Sequence, residues 1–219
     1  MAGWPFPFSF AGMKSPEALL AEGISALGMR PSRQQLSAFM SYLSELKKWN
    51  RAHSLTSLKT DREIVVSHFL DSLLFLKVLP DSAASVADVG SGAGFPGIPM
   101  KIMRPSLKMV LIEPTKKKAV FLRHICHLLG LQEIEIIDKR LEEVKNIRAD
   151  AAVTRALFRA AEFAEKAKHI LEPAGLLILS KGPSAKTELE EMELSEIDVR
   201  EIDLPYAGMK RALIILRPY

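Results

Sequence analysis

The feature that most constrains the fold is a regular alternation, after Pro80, of short aliphatic runs with helical stretches. The runs that predict strands cover residues 84–89, 108–113, 133–137, 150–154 and 175–180. Helical patterns lie between them, near residues 97–103, 116–129 and 158–171. Strands that alternate with helices form βαβ units, which build a parallel sheet covered on both faces. The sequence therefore predicts an α/β fold with a doubly wound, mostly parallel sheet.

Two further strand-like runs close the chain, at residues 195–205 and 209–218. Only the turn at Tyr206, Ala207 and Gly208 joins them, so we expect these two strands to pair antiparallel. With the five strands before them, they predict a seven-stranded sheet.

The first 80 residues lack this alternation and predict helices instead. Ser15 before a proline is typical of a helix start, and Ser32 with Gln35 forms a capping box for a second helix. The predicted elements are a helix over residues 15–28, a second over 32–48, a loop over 49–61 and a third helix from about 61 to 79. No Pro-, Gly- or Ser-rich linker follows, so we expect residues 15–80 to dock as a helical extension on a core formed by residues 81–219.

Composition limits where such a chain works. Cys126 is the single cysteine, which excludes an internal disulfide and a cysteine metal cluster and favours a reducing compartment. No apolar run reaches the roughly 18 residues that span a membrane. Residues 1–14 contain Pro5 and Pro7 and no basic start, so we expect a disordered tail rather than a secretory signal, with Met13 as an alternative start. We therefore expect a cytoplasmic protein with no membrane partner and no metal.

Positive charge is concentrated in two stretches of a chain whose pI is about 9.1. Residues 30–62 carry seven basic side chains against two acidic ones, and residues 101–124 carry seven against one. Residues 186–203 are acidic, with eight carboxylates against two basic side chains. Basic stretches of this density favour a polyanionic partner, although solvated helix faces give the same pattern.

The sharpest motif follows the first predicted strand and opens a helix; it reads Asp88-Val89-Gly90-Ser91-Gly92-Ala93-Gly94-Phe95-Pro96-Gly97. Glycines there allow a tight turn and the close approach of a ligand to backbone N–H groups. Gly92, Gly94 and Gly97 also satisfy the dinucleotide pattern G-x-G-x-x-G. Asp88 favours a different ligand, because its carboxylate would repel a pyrophosphate but can orient a sulfonium amino acid. Glu113, after the second strand, lies where a ribose diol would bind.

Further motifs occur in one order along the chain, between Leu36 and Lys181. They are Lys48-Trp49-Asn50, Leu55-Thr56, His68-Phe69-Leu70-Asp71-Ser72, the glycine run followed by Arg104-Pro105, Lys117-Lys118, Phe121-Leu122-Arg123, Arg140-Leu141-Glu142-Glu143, Thr154-Arg155-Ala156 and Lys181-Gly182. In these motifs the chain resembles the class I methyltransferases, which have a Rossmann-like fold. In detail it resembles the small-subunit (16S) ribosomal RNA methyltransferase G family, also called glucose-inhibited division protein B. The chain departs from the family pattern at Ser54, Thr154 and Leu157, where the family has Asn, Ser and Phe.

The resemblance implies S-adenosylmethionine-dependent methylation of N7 of guanosine 527, in the 530 loop of 16S ribosomal RNA. The implied partner is 16S ribosomal RNA or the 30S subunit, the implied domain over residues 81–219 binds the cofactor, and we expect a monomer. By the same resemblance Gly90, Phe95, Leu141, Glu142 and Arg155 match cofactor-contacting positions of the family. They join Asp88, Gly92, Gly94 and Glu113, which the residues themselves suggest.

Guanine N7 carries no proton, so the reaction needs no general base and we assign none. Arg155 and Lys181 end the fourth and fifth predicted strands, at the edge of an open sheet where ligands bind. The candidates near the acceptor are Arg155, Lys181, Asn50, His68 and Asp71. The candidates for RNA contact are Arg51, His53, Thr56, Ser72, Lys117, Lys118 and Arg123.

Simpler roles remain open for several of these residues. Trp49 is better explained as a core residue than as a stacking platform, and His68 with Asp71 could form a surface pair. The lysines at 116–118 could be a solvated helix start, although cations there oppose the helix dipole. For the whole chain the alternatives are a small-molecule methyltransferase, an NAD-dependent oxidoreductase, which Asp88 disfavours, and a non-catalytic RNA-binding factor.

Overall fold

One mixed sheet runs through the molecule, whose computed structural model describes residues 14–155, 159–181 and 197–217. The strands are β1 (Ser85–Val89), β2 (Lys108–Ile112), β3 (Ile134–Ile137), β4 (Ala149–Arg155), β5 (Leu171–Lys181), β6 (Ile197–Leu204) and β7 (Met209–Leu216). They lie in the order β3-β2-β1-β4-β5-β7-β6. Strands β1 to β5 run parallel, and β7 pairs antiparallel with both β5 and β6. The predicted doubly wound, seven-stranded sheet is confirmed.

Helices cover both faces of this sheet. They are α1 (Pro16–Ala26), α2 (Arg33–His53), α3 (Asp61–Ile64), α4 (Asp71–Leu73), α5 (Gly97–Met103), α6 (Lys116–Leu128) and α7 (Ala160–Ala167). The predicted caps are present, because the Ser15 hydroxyl accepts from Ala18 N and the Ser32–Gln35 capping box is closed in both directions. Within the described residues no helix combines the length and the apolar character needed to cross a membrane.

Alternate residues of each strand divide the core into two clusters. Val86 of β1 packs in the cluster that contains Leu20 of α1 and Phe39 of α2. Its neighbour Ala87 packs in the cluster of the other face, with Phe163 of α7. The N-terminal helices therefore share their core with the sheet.

The predicted loop over residues 49–61 is wrong in its first part, because α2 continues to His53. The ring of Trp49 packs 5.5 Å from that of Phe121 and 5.1 Å from that of His124. These contacts stabilise the helix beyond residue 48, where the apolar spacing of its sequence ends. Trp49 is thus a packing residue, as expected. The helix ends at Ser54, whose φ of 50° is left-handed, a conformation that favours the Asn found there in the family pattern.

The predicted third helix is present over residues 61–77 but is not uniform; "third helix" below means this segment. It begins as α3, continues as a π-helix over Val65–Leu70, returns to α4 and ends as a 3-10 turn over Leu74–Lys77. A π segment inside a helix is frequent at functional sites. This one carries His68, and Asp71 follows it directly.

The other differences from the predicted elements are small. The helix predicted over residues 158–171 ends at Ala167 and is followed by a 3-10 turn at Lys168–Ile170. Strand β5 begins at Leu171 rather than 175, with a register shift against β4 where Pro173 and Gly175 interrupt the aliphatic run. Residues 1–13, Leu157 and most of the acidic stretch lie outside the described residues.

Candidate active site at the carboxyl edge of the sheet

The glycine loop is anchored from beneath by Asp88, which is fully buried at the end of β1. Its Oδ2 accepts a hydrogen bond from Gly97 N at 2.9 Å and so fixes the first turn of α5. Its Oδ1 has no hydrogen-bond partner among the described residues. Burial raises the pKa of Asp88 to about 7, against the opposing effects of the Gly97 N–H and the Arg155 charge. The carboxyl group therefore supports the loop rather than facing solvent.

The three glycines of the pattern have different surroundings. Gly92 has a φ of +60°, and a Cβ there would approach only the Gly90 carbonyl oxygen, at 3.9 Å. A Cβ on Gly94 would lie 2.7 Å from the hydroxyl oxygen of Tyr42, and one on Gly97 would lie 2.5 Å from a β2 side chain. Gly94 and Gly97 are thus required by packing, whereas Gly92 leaves open space for a ligand.

Glu113 joins the end of β2 to this loop and is 4% exposed. Its Oε2 accepts from Gly92 N at 2.9 Å, and its Oε1 accepts from Thr115 N at 2.9 Å. A carboxylate oxygen can accept a second hydrogen bond, so each oxygen can still bind a ligand hydroxyl. The acidic residue and the open glycine therefore lie side by side.

The ring of Phe95 forms a wall between the glycine loop and the N-terminal helices. It stacks on His68 with centroids 4.2 Å apart and planes at 17°, and on Tyr42 at 5.4 Å and 20°. The Tyr42 hydroxyl also donates to the Ala93 carbonyl. Because Phe95 is only 4% exposed, most of its ring serves this contact between α2, the third helix and the loop.

Arg155, at the end of β4, is held by groups of the third helix. Its Nη1 donates to the Ser67 carbonyl at 3.0 Å and lies 3.4 Å from Asp71 Oδ2. Its Nη2 donates to His68 Nδ1 at 2.8 Å, and its guanidinium lies 5.3 Å from the Phe95 ring centroid. Burial lowers the pKa of Arg155, but a guanidinium paired with a carboxylate stays protonated. The side chain therefore organises its neighbours with a fixed positive charge.

Asp71 carries two guanidinium partners although it is 1% exposed. Besides Arg155, it binds Arg211 of β7, whose Nε donates to Asp71 Oδ1 at 2.7 Å. The alternative of a surface pair between His68 and Asp71 is wrong, because Asp71 is buried and Arg155 lies between them. A buried ion pair of this kind joins the third helix to both β4 and β7.

His68 is neutral in this network. A guanidinium can only donate, so His68 Nδ1 accepts from Arg155 and Nε2 carries the proton that is donated to Thr56 Oγ1, 2.7 Å away. Burial, and then the Arg155 charge, lowers the pKa of His68 to about 3. Thr56 N in turn donates to Asn50 Oδ1 at 2.8 Å. Contacts thus run without a gap from Phe95 in the glycine loop to Asn50 at the end of α2.

Comparison with known proteins identifies the family. The model of the family described as rRNA small subunit methyltransferase G matches residues 35–212. A ribosomal RNA small subunit methyltransferase G from Neisseria gonorrhoeae is 34% identical over 206 residues, covering 93% of this chain and 99% of that protein. One from Geotalea uraniireducens is 35% identical over 213 residues, covering 93% and 97%. The chain belongs to the small-subunit ribosomal RNA methyltransferase G family. The predicted family and enzyme class are confirmed.

Solved structures agree on the fold of this methyltransferase. A SAM-dependent methyltransferase from Aquifex aeolicus superposes with a TM-score of 0.54 at 18% identity, covering 81% of this chain and 98% of that chain. A ribosomal protein L11 methylase from Lactobacillus delbrueckii subsp. bulgaricus gives 0.53 at 16% identity, covering 74% and 81%. Both likenesses bear on the fold alone, which is that of the class I methyltransferases.

Two further predicted cofactor positions of the methyltransferase lie in the 3-10 turn Leu141–Glu143, which follows β3. Leu141 is buried in the core of the sheet face that carries α7. Glu142 is exposed, and its Oε1 pairs with Lys166 at 2.9 Å. Among the described residues, no hydrogen bond or ion pair joins either side chain to the glycine loop.

The predicted RNA-contact residues divide by exposure. Arg51, Lys117 and Arg123 are exposed, whereas His53, Thr56 and Lys118 are half-buried, as is the acceptor candidate Lys181 at the end of β5. Arg123 pairs with Asp138 at 3.2 Å, and the His53 ring packs 5.3 Å from that of Trp49. Ser72 is a correction: it is fully buried, and its hydroxyl donates to the His68 carbonyl at 2.6 Å, so it cannot reach RNA.

Sequence reasoning missed Tyr42 and Arg211. Tyr42 lies in an apolar helical series, where an aromatic residue predicts core packing and nothing more. Arg211 lies in a strand that carries no motif, and only the tertiary fold brings it to Asp71. In the described part of the chain, no three His, Cys, Asp or Glu side chains are grouped as metal ligands would be.

Proposed function

We propose that this methyltransferase transfers a methyl group from S-adenosylmethionine to N7 of guanosine 527, in the 530 loop of 16S ribosomal RNA. The observation that carries the proposal is the open Gly92 position beside the Glu113 carboxylate, at the strand ends where Arg155 also lies. Family membership supports the choice of RNA and of the target atom. A ribosomal RNA substrate also supports a cytoplasmic location.

The residues of this edge fit S-adenosylmethionine. Gly92 offers open space and Glu113 offers acceptor lone pairs for ribose hydroxyls, so we assign both, with Gly90, to direct contact. Asp88 and Gly94 are assigned to the shape of the loop, since the first is fully buried and the second is closed off by packing. Phe95, Leu141, Glu142 and Arg155 remain proposed cofactor neighbours.

The cofactor supplies a methyl group on a positively charged sulfur, and guanine N7 offers a lone pair with no proton to lose. The protein must therefore align the two rather than remove a proton, which is a contribution of proximity and orientation. His68 is consistent with a reaction that removes no proton, because its pKa of about 3 makes it a poor proton acceptor. The guanine becomes cationic when N7 is methylated. The Asp71 carboxylate offsets the positive charge of Arg155 next to it.

Titration calorimetry with three ligands tests the cofactor part of the proposal. We expect binding of S-adenosylmethionine and S-adenosylhomocysteine and none of NAD, because the chain belongs to a methyltransferase family. Binding of NAD in their place would favour the oxidoreductase alternative.

The substrate part is tested by binding of 16S ribosomal RNA over a range of salt concentrations. Phosphate contacts give affinity that falls steeply with salt, by about 0.7 in the logarithm of the binding constant per decade for each contact on a single strand. Salt-independent or absent RNA binding would favour a small-molecule methyltransferase. RNA binding without methyl transfer would favour a non-catalytic factor.

A further inference from the structure

A cavity of about 310 Å³ lies between the end of α2 and the loop that follows it. Its lining consists of Lys47, Asn50, Arg51, Leu58 and Lys59. Three of these side chains are cationic and none is acidic. The volume lies at the lower end of the range, about 300–1,000 Å³, in which proteins bind small ligands.

We propose that this cavity binds a phosphate-bearing nucleotide of the RNA that flanks the methylated guanine. The inference rests on the proposed function and names a site for its substrate outside the cofactor edge. A nucleotide combines the anionic group and the flat base that such a lining can accept.

Two of the cations are available to a phosphate. Lys47 pairs with Asp61, whereas no salt bridge joins Arg51 or Lys59 to a carboxylate within residues 14–155, 159–181 and 197–217, although the Lys59 charge acts on the Glu63 carboxylate. The Glu63 carboxylate lies outside the lining and accepts from the backbone N–H groups of Lys59 and Thr60, so it offsets only part of this positive charge. The cavity therefore keeps an excess of positive charge.

The two cations, Arg51 and Lys59, come from different segments of the chain and line the same cavity. Arg51 lies in the last turn of α2, where the helix dipole alone favours a cation. Lys59 lies in the following loop, where no helix carbonyls favour it. Like charges at one cavity repel each other, so an anionic ligand between Arg51 and Lys59 would reduce that repulsion.

The remaining lining suits the rest of a nucleotide. Asn50 Oδ1 is used by Thr56 N, while Asn50 Nδ2 makes no hydrogen bond among the described residues and can donate to a ligand. Leu58 is half-buried against the main core cluster and offers an apolar surface. An amide donor and an apolar surface are the groups with which proteins hold an unstacked base.

The cavity also lies at the right place. Asn50 binds Thr56, Thr56 binds His68, and the His68 ring stacks on Phe95 of the glycine loop. A nucleotide in the cavity is therefore separated from the cofactor edge by the width of these few side chains. That spacing suits a neighbour of the target nucleotide rather than the target itself.

The test is the double variant Arg51→Gln with Lys59→Gln, compared with Arg30→Gln and Arg33→Gln as a matched control. Both control residues are exposed near the start of α2, about 30 Å from its end for a helix of this length. Methyl transfer to 16S ribosomal RNA lacking the modification is measured at several salt concentrations. We expect the KM for RNA to rise at least tenfold in the test variant, with kcat and the Kd of S-adenosylmethionine within twofold of the wild type.

The salt dependence identifies the phosphate contact. The slope of log KM against log salt should fall by about 1.4, for two lost contacts at about 0.7 each, and the control should keep the wild-type slope. A conservative variant, Arg51→Lys with Lys59→Arg, keeps both positive charges, so its KM for RNA should stay close to that of the wild type.

Three results would overturn the inference: an unchanged KM and slope in the test variant, an equal loss in the control, or a loss confined to kcat. A wild-type enzyme that transfers no methyl group to 16S ribosomal RNA would instead refute the proposed function.

Discussion

Single residues of the glycine loop differ in role although they belong to one motif. The sequence predicted the turn and the neighbouring carboxylates of Asp88 and Glu113, because their spacing follows from a strand, a turn and a helix. It could not separate Gly92 from Gly94, since the difference depends on what stands opposite each Cβ. For Gly94 the neighbours are Ile98 and Tyr42, and Tyr42 is 52 positions earlier in the chain.

This difference can be tested by two substitutions. Gly92→Asp should give a folded protein with no measurable affinity for S-adenosylmethionine, because a charged side chain would fill the ligand's space. Gly94→Ala should instead lower the free energy of unfolding by about 1–3 kcal/mol, the usual cost of overpacking a core. Calorimetry and urea unfolding measure the two effects. Unchanged cofactor affinity in Gly92→Asp would contradict the assignment.

His68 predicts a pH dependence of stability. Its pKa is about 3 in the folded state against 6.5 in the unfolded chain, so between these values only the unfolded state binds the proton and stability falls as pH falls. Asp88 acts oppositely, because its folded pKa of about 7 gives stability that is lost as pH rises through 7. The two effects overlap, so the comparison of wild type with a variant isolates one of them.

We expect His68→Gln to gain stability relative to the wild type as pH falls from 6.5 to 5. The relative gain should be about 1.6 kcal/mol, because the slope approaches 1.36 kcal/mol per pH unit only well below the unfolded pKa of 6.5. Urea unfolding at both pH values measures it. A constant difference between the two proteins would mean that His68 titrates normally in the folded state.

At the scale of elements, the third helix is where sequence reasoning was least complete. The apolar spacing predicted a helix over residues 61–79, and a helix is present. Hydrophobic periodicity does not distinguish an α from a π turn, so the segment Val65–Leu70 could not be predicted. The partners that hold this segment, Arg155 and Arg211, come from β4 and β7.

Asp71→Asn tests how firmly the strands hold this helix. Removing one partner of a buried ion pair costs about 3 kcal/mol, because the remaining guanidinium groups stay buried without their carboxylate. Asp61→Asn is the matched control on the same helix, since the Lys47 and Asp61 side chains are 39% and 38% exposed and the loss of such a pair costs about 1 kcal/mol or less. Equal losses in denaturant unfolding would contradict the role given to Asp71.

The start of α6 carries lysines where a helix favours anions. Lys117→Glu with Lys118→Glu should stabilise the helix, by about 0.3–1 kcal/mol for each favourable charge in the first turn. The same change should weaken RNA binding at least tenfold and spare cofactor affinity. Arg30→Glu with Arg33→Glu is the control at the opposite edge, where Gln35 of α2 binds the Met103 carbonyl at the end of α5. Full methylation by the folded Lys117/Lys118 variant at moderate salt would contradict a role in RNA binding.

At the scale of the whole molecule, the parallel part of the sheet followed from the alternation of strands and helices. The insertion of β7 between β5 and β6 did not, because two consecutive strands predict only that they pair with each other. That insertion brings Arg211 to Asp71 and makes the C-terminal hairpin part of the site's support. The motifs located the edge to which we assign the cofactor, while the cavity beside Asn50 depends on how α2 ends.

The central claim is that this edge methylates guanine N7 in ribosomal RNA. The most direct measurement is transfer of labelled methyl from S-adenosylmethionine to 16S RNA or 30S subunits that lack the modification, followed by mapping of the labelled atom. The account predicts label on N7 of one guanine in the 530 loop with the wild type, and no label with Gly92→Asp. Label on another atom or nucleotide, or tight cofactor binding with no label on either substrate, would contradict it.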